Sequence, residues 1–227
     1  NNIHGKNQHV MGTLSEHILN LKLLRTDGSI IDCSLKENEE WFRATCGGIG
    51  LTGLILSCKI QLRKIKNNWL KTERYPFYNL KDFFYLSDQA EKNWEYSVGW
   101  LDCMSGKNRG IFMQANHDED TRNHAMKHKK KISINYDMRY SLINKNTVKI
   151  FNSIYFYLNK FGKCKKKSYF SDFFYPLDNI ISWNKLYGKK GFYQFQSVIP
   201  KENRLDTLNE MTRQIVLDTE TTGRSAE

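Results

Sequence analysis

Proline and glycine are scarce in this chain, with 3 and 14 among 227 residues, which excludes collagen-like and low-complexity architectures. No apolar run approaches the roughly 18–20 residues that a membrane-spanning helix needs. The first ten residues are polar, so we expect no secretory signal. The chain also lacks an initiator methionine, and we expect it to be a fragment of a longer protein.

Cysteines are few and do not form a recognisable framework. The five are an odd number without any C-x-x-C pair: Cys33, Cys46, Cys58, Cys103 and Cys164. This pattern argues against a disulfide scaffold and a zinc knuckle, and favours idle thiols in a reducing compartment. The histidines at 4 and 9 lie five residues apart with no carboxylate nearby, so no metal site is predicted.

Acidic residues are almost missing from one segment. Residues 121–170 hold thirteen Lys and Arg but one acid, Asp137, for a net charge of +12, while the whole chain carries +11. The excess therefore lies entirely in this segment. It indicates either an anionic partner, such as phosphate, nucleic acid or a membrane surface, or a solvated basic loop.

Alternating apolar residues predict strands over 19–23 and 54–62. The pair Asp-Gly at 27–28 predicts a two-residue hairpin turn. Capping-box spacing, S-x-x-E at 34–37, predicts a helix over 35–45 that the following glycines end. A polar, basic stretch at 64–71 marks a domain boundary.

Residues 80–198 also show both the helical period and the strand period in their apolar residues. Helices are predicted over 80–94, 148–158 and 183–187, and strands over 96–100, 111–115 and 193–198. The fold class is therefore α+β.

Residues 48–53, G-I-G-L-T-G, formally match the dinucleotide fingerprint G-x-G-x-x-G. That fingerprint must follow a strand and open a helix, and here the predicted order is the reverse. Glycine-rich backbone still lets a flat or bulky group approach the main chain, although a tight structural turn explains it equally.

The opening run Ile3-His4-Gly5-Lys6-Asn7 is unusual as well. A histidine, a lysine and an asparagine around a glycine can aim several donors at one point, which suits the pyrimidine edge of a flavin or a phosphate. A plain polar loop is the other interpretation.

Several runs occur together in an order that is typical of one family: I-H-G-K-N at 3–7, W-F-R-A-T at 41–45, the glycine run at 47–53, F-F-Y-P-L-D at 173–178, W-N at 183–184 and G-F-Y-Q-F-Q at 191–196. They resemble FAD-linked oxidases of the vanillyl-alcohol-oxidase type, within them the oxidases of polyprenyl-phosphate-linked ribose. The resemblance covers about residues 1–211.

The resemblance implies a domain order. Residues 1–64 would be the C-terminal portion of a PCMH-type FAD-binding domain, and residues 65–210 an incomplete substrate domain built on an antiparallel sheet. By the same resemblance His4, Gly5, Lys6 and Asn7, with Gly48, Gly50, Thr52 and Gly53, would contact the FAD. The implied substrate contacts are Lys6, Trp100, Gln194 and Gln196.

The implied chemistry is oxidation of a secondary alcohol of a sugar, with hydride passing to the flavin while a base removes the hydroxyl proton. The family's lysine at that step has no counterpart in this chain, so the catalytic residue is unknown. Two departures, Phe174 in place of tyrosine and Val98 in place of serine, bear on the substrate.

The resemblance also implies partners. A polyprenyl-phosphate sugar would be the substrate and a reductase a possible electron acceptor. An anionic membrane could attract the basic segment, which places the protein in the cytoplasm or at the periphery of the inner membrane. We expect no nucleic acid partner under this interpretation.

The last residues of the chain resemble a different family of proteins. Residues 212–223, T-R-Q-I-V-L-D-T-E-T-T-G, resemble the first motif of proofreading exonucleases of the DNA polymerase III epsilon type, in which a strand delivers Asp218 and Glu220 to two metal ions. We interpret residues 211–227 as a foreign tail. The alternative function is a basic nucleic-acid-binding or exonuclease-like module.

Overall fold

The computed structural model describes residue 6 and residues 11–120, 131–136, 144–190 and 199–221. The chain divides into two compact units, residues 1–65 and 66–227, which are described separately below. The assignment of these units to a flavin domain and a substrate domain stays a prediction.

Unit 1 is a three-stranded antiparallel sheet with one short helix. A 3-10 turn at Leu14–His17 leads into β1 (Ile18–Leu24), followed by β2 (Ile30–Cys33), α1 (Glu39–Thr45) and β3 (Leu54–Ile60). The strand order is β2-β1-β3. Leu21, Leu23 and Cys33 pack against Phe42 of α1 and form the core. The two predicted strands and the predicted helix between them are confirmed, although their bounds differ.

Two details of unit 1 were predicted wrongly. The hairpin turn is longer than two residues, because Leu24 pairs with Ile30 and the Asp27 side chain accepts from the Ser29 backbone N–H. The helix begins at Glu39 instead of residue 35. The Ser34 hydroxyl is occupied in a turn, where it accepts from the backbone of Lys36 and Glu37, so it cannot cap the helix.

Strand β3 has all seven residues exposed. In the described part of the chain it pairs only with β1, so its outer edge carries no neighbouring strand. The apolar side chains Leu54, Ile55, Leu56 and Ile60 lie along it.

Unit 2 is built on a four-stranded antiparallel sheet of order β5-β6-β4-β8. Its elements are β4 (Trp69–Phe77), α2 (Leu80–Ala90), β5 (Tyr96–Asp102), β6 (Arg109–His117), β7 (Ile132–Ser133), α3 (Lys145–Phe161), β8 (Lys165–Tyr169), α4 (Phe170–Phe174), β9 (Ile180–Ile181) and α5 (Arg204–Thr221). Short 3-10 turns lie at Cys103–Ser105, Pro176–Asn179, Trp183–Lys190 and Lys201–Asn203. Strands β7 and β9 form a separate parallel pair.

Helices cover both faces of this sheet. On one face Phe77 and Phe112 pack with Ala90 and Phe83 of α2. On the other, Leu70, Tyr96 and Ala115 pack with Phe173 of α4, while α3 crosses β4 and β6. Because period-two alternation sends successive side chains to opposite faces, strands β4, β5 and β6 each supply apolar side chains to both cores.

Most predicted elements of unit 2 are confirmed, and the α+β class with them. Strands β5 and β6 pair as expected, and the amphipathic helix is α3. Strands β4 and β8 were not predicted. The strand expected at 193–198 lies outside the described residues, as does its pairing. In the described ranges no helix is long and apolar enough to cross a membrane.

The strand implied by the exonuclease resemblance is wrong in this structure. Residues 212–221 continue the helix α5, which begins at Arg204. Arg204 forms a two-pronged ion pair with Asp88 of α2, at 2.6 and 2.7 Å, and anchors the helix start. No glycine or proline interrupts residues 204–221, and a lone strand would leave its backbone groups without ladder partners.

Asp118, just after β6, is a buried carboxylate held by two lysines. Lys167 lies 2.6 Å and Lys71 3.2 Å from its oxygens, and the Asp120 backbone N–H donates to it. These contacts, the Lys167 hydrogen bond above all, lower the pKa of Asp118 to about 2.

We therefore expect acid to remove a stabilising contribution. A carboxylate with a lowered folded pKa stabilises above its unfolded value near 4 and loses this as pH falls toward 2. Asp118→Asn should destabilise by about 2 kcal/mol at pH 6 and by almost nothing at pH 2. Urea unfolding at both pH values measures this, and an equal difference at both would contradict it.

Candidate functional site

The glycine run forms a tight turn between α1 and β3. Gly47 and Gly50 have φ values of 90° and 80°, and Ile49 between them has φ 55°. The left-handed region is natural for glycine and strained for isoleucine. The predicted order of helix, glycine turn and strand is confirmed, so the dinucleotide fingerprint does not apply here.

Two of the glycines are required by the close packing of the turn itself. A Cβ at Gly48 would collide with the carbonyl oxygen of Ala44, and one at Gly53 with the carbonyl oxygen of Leu24. These positions let the turn lie directly on the end of α1 and on β1. They build the turn whether or not a ligand is bound.

Gly50 is different. It also has a left-handed φ, of 80°, but no atom lies within 4 Å of where its Cβ would be. Its neighbours Ile49 and Leu51 are largely exposed. The tip of the turn therefore offers bare backbone and two apolar side chains, which fits the approach of a flat ring. The described residues at this tip thus leave room for the ring system of a flavin.

A small network holds the turn in place. The Arg25 guanidinium lies 3.5 Å from the centre of the Trp41 ring and donates a hydrogen bond to the carbonyl of Thr52. The hydroxyls of Thr45 and Thr52 lie 3.0 Å apart, and Thr45 also donates to the Trp41 carbonyl. This network explains why W-F-R-A-T and the glycine run occur together.

Sequence reasoning did not find Arg25. Its role depends on a stack with a residue sixteen positions along the chain, which no local spacing signals. Thr52 was expected to touch the cofactor, and the structure gives its hydroxyl and its carbonyl structural partners as well.

Lys6 is the one member of the opening run that the structure describes. It is half-buried, and burial lowers the pKa of its amine. His4, Gly5 and Asn7 lie outside the described residues, so their predicted convergence on the glycine turn stays a prediction.

Of the predicted substrate contacts in unit 2, only Trp100 is described. It lies on β5 with its ring centre 4.7 Å from that of Tyr155 on α3. Gln194 and Gln196 lie outside the described residues. The structure therefore brings Gly48, Gly50, Thr52 and Gly53 together in one turn and leaves the substrate set untested.

Val98 and Phe174, the two residues that differ from the pattern of the resembled oxidases, lie in one place. Val98 and Phe174 both pack against the core of Leu70, Tyr96, Ala115 and Phe173, and Phe174 meets Tyr96 edge-on at 4.9 Å. The replacements are both apolar, so the cluster is drier than one with a serine and a tyrosine. No group of side chains suited to a metal occurs among the described residues.

Comparison with known proteins shows that this chain is similar to an oxidase, as its sequence predicted. The relative is the decaprenylphosphoryl-beta-D-ribose oxidase of Mycolicibacterium smegmatis (strain ATCC 700084 / mc(2)155), 27% identical over 214 residues. An uncharacterized protein in the mprA 5′ region of Streptomyces coelicolor is 29% identical over 118 residues, 51% of this chain. No family model matches the chain.

Each alignment covers a larger share of this chain than of the relative. The alignment with the mycobacterial oxidase takes in 88% of this chain but 46% of that protein, and the Streptomyces match covers 32% of its protein. The chain thus spans about half the length, or less, of these relatives.

Proposed function

We propose that this chain forms part of an FAD-dependent oxidoreductase that oxidises a secondary alcohol of a sugar, with a polyprenyl-phosphate-linked pentose as the substrate class. The observation that carries the proposal is the similarity to an oxidase over 88% of the chain. The α+β fold and the bare tip of the glycine turn support it.

The residues have separable roles in this proposal. FAD, when bound, supplies the hydride acceptor. Gly50 lets the ring approach the main chain, while Arg25, Trp41 and Thr52 hold the turn rigid. Lys6, with an amine pKa lowered by burial, is a donor for the flavin edge or the substrate. We assign no catalytic base in this chain.

Flavin binding by the 227-residue chain tests the proposal. Titration of FAD should quench its fluorescence, and Gly50→Ala should weaken binding about tenfold or more because a methyl group would stand where the ring approaches. Gly28→Ala is the matched control. Gly28 has a similar φ of 85° and equally open surroundings but lies in the hairpin turn.

Equal loss in both variants would mean that backbone strain alone acts, and would contradict the site. A chain that binds no FAD but binds DNA with strong salt dependence would favour the alternative, a nucleic-acid-binding module.

A further inference from the structure

Arg25 is held in place at both its backbone and its side chain. At the base of the hairpin its N–H donates to the carbonyl of Ser29 at 2.8 Å, and its carbonyl accepts from the N–H of Gly28 at 3.1 Å. Its guanidinium reaches the glycine turn, where it lies on the Trp41 ring and donates to the Thr52 carbonyl. The guanidinium therefore keeps one orientation beside the turn.

This guanidinium has donors that the fold does not use. A guanidinium presents five N–H donors in a planar fork, and the Thr52 carbonyl accepts from one of its nitrogens. The nearby carboxylate of Asp27 accepts instead from the backbone N–H and the hydroxyl of Ser29. In the described part of the chain no acid forms an ion pair with Arg25, so its charge is left for a ligand.

The tip of the glycine turn adds backbone donors. The N–H groups of Ile49 and Gly50 bond to no acceptor among the described residues, although the N–H groups on either side are bonded within the turn. Both residues have a left-handed φ, of 55° and 80°. Successive free N–H groups in a turn make a surface that binds anions. This surface lies two residues from the Thr52 carbonyl to which Arg25 donates.

The two sets of donors favour a phosphate group over other ligands. The planar fork of a guanidinium matches two oxygens of a phosphate, and hydrogen bonds between charged groups are the strong ones. Backbone N–H groups in turns bind the same group. A neutral ligand would leave the charge of Arg25 unanswered.

We propose that Arg25, together with the N–H groups of Ile49 and Gly50, contacts a phosphate group of the ligand that the glycine turn receives. The inference rests on the proposed function, which supplies two ligands with phosphate, FAD and the polyprenyl-phosphate-linked pentose. Arg25 is a binding residue here and takes no part in the chemistry. Because the stack on Trp41 already orders its side chain, little conformational entropy is lost when the phosphate binds.

Isothermal titration calorimetry with FAD, riboflavin and a ribosyl phosphate tests the contact. Riboflavin has the flavin ring without phosphate, and the ribosyl phosphate has the phosphate without the ring. Arg25→Gln should lower the affinity about tenfold for FAD if the cofactor supplies the phosphate, or for the ribosyl phosphate if the substrate supplies it. Its affinity for riboflavin should stay within about twofold of wild type, since glutamine can still donate to the Thr52 carbonyl.

Arg43→Gln is the matched control. It removes the same charge from unit 1, but Arg43 is 67% exposed and pairs with Glu39 on α1. This variant should bind all three probes like wild type. Arg25→Lys keeps the charge and loses the planar fork, so the affinity for the phosphate-bearing probe should fall about threefold. Equal losses in Arg25→Gln and Arg43→Gln would show that net charge alone acts, and would overturn the contact.

The riboflavin titration separates this contact from the proposed function. An equal loss of all three probes in Arg25→Gln would mean that Arg25 only holds the turn, and would overturn the phosphate contact. So would a wild-type chain that binds FAD and riboflavin, with unchanged affinity for every probe in Arg25→Gln, while the proposed function would stand. Wild-type chain that binds neither FAD nor riboflavin would contradict the flavin site, and the contact with it.

Discussion

Asp102→Ala should destabilise unit 2 by about 3–5 kcal/mol, because it leaves a largely buried cation and a buried amide without their carboxylate partner. Asp102 is nearly inaccessible at the end of β5. Its carboxylate receives Arg109 Nε at 3.1 Å and Asn152 Nδ2 at 2.8 Å, and it also accepts from the Met104 backbone. The residue thus joins β5, β6 and α3.

Further contacts hold the Arg109 guanidinium in its place. Arg109 also donates to Ser153 and lies over the rings of Phe156 and Tyr157. Without Asp102 its positive charge would stay largely shielded from water against these two rings, and that desolvation sets the size of the effect.

Urea unfolding followed by circular dichroism measures the loss. The double variant Asp102→Ala with Arg109→Met should recover part of it, since the orphaned charge is gone. Glu119→Ala is the control, because its ion pair with Lys66 is largely exposed and should contribute less than about 1 kcal/mol. Similar losses in Asp102→Ala and Glu119→Ala would show that the network has no special weight.

Phe112→Ala should cost about 3–5 kcal/mol through the cavity that it leaves. Phe112 on β6 is 1% exposed and packs with Phe77, Phe83 and Ala90. Its cross-strand partner is Gly99, whose missing side chain makes room for the Phe83 ring. The site is filled from both sides, so neighbouring side chains cannot collapse into the space.

The matched control is Phe161→Ala. The same atoms are removed from a largely exposed position on α3, so the change in free energy of unfolding should be within about 0.5 kcal/mol. Chemical denaturation of both variants measures the two changes in the free energy of unfolding. A small loss for Phe112→Ala would mean that the core relaxes far more than its packing indicates.

The sequence predicted elements whose pattern has one clear period. Strands β1, β3, β5 and β6 alternate, and α3 has its apolar residues at helical spacing. Strand β8 was missed because Lys165, Lys166 and Lys167 give it no apolar alternation. It is an edge strand, where lysines protect against unwanted pairing, and its place in the sheet comes from register with β4.

Strand β4 was missed for a related reason. Polar residues such as Lys71 and Glu73 alternate with buried Leu70 and Thr72, and Pro76 argues against a strand. The pairing of β4 with both β6 and β8 outweighs these local signals. In the candidate site the glycine turn was predictable, whereas the stack of Arg25 on Trp41 depends on tertiary contact.

Among the residues that the structure describes, nothing pairs with the outer edge of β3, and this has a practical consequence. Its ladder groups point outward beside apolar side chains, so it can template the addition of a strand from any neighbouring molecule. Preparations of the chain should therefore be limited by concentration-dependent aggregation before thermal unfolding begins. A single lysine at Leu56, in the middle of that strand, would act as a gatekeeper and extend the soluble range.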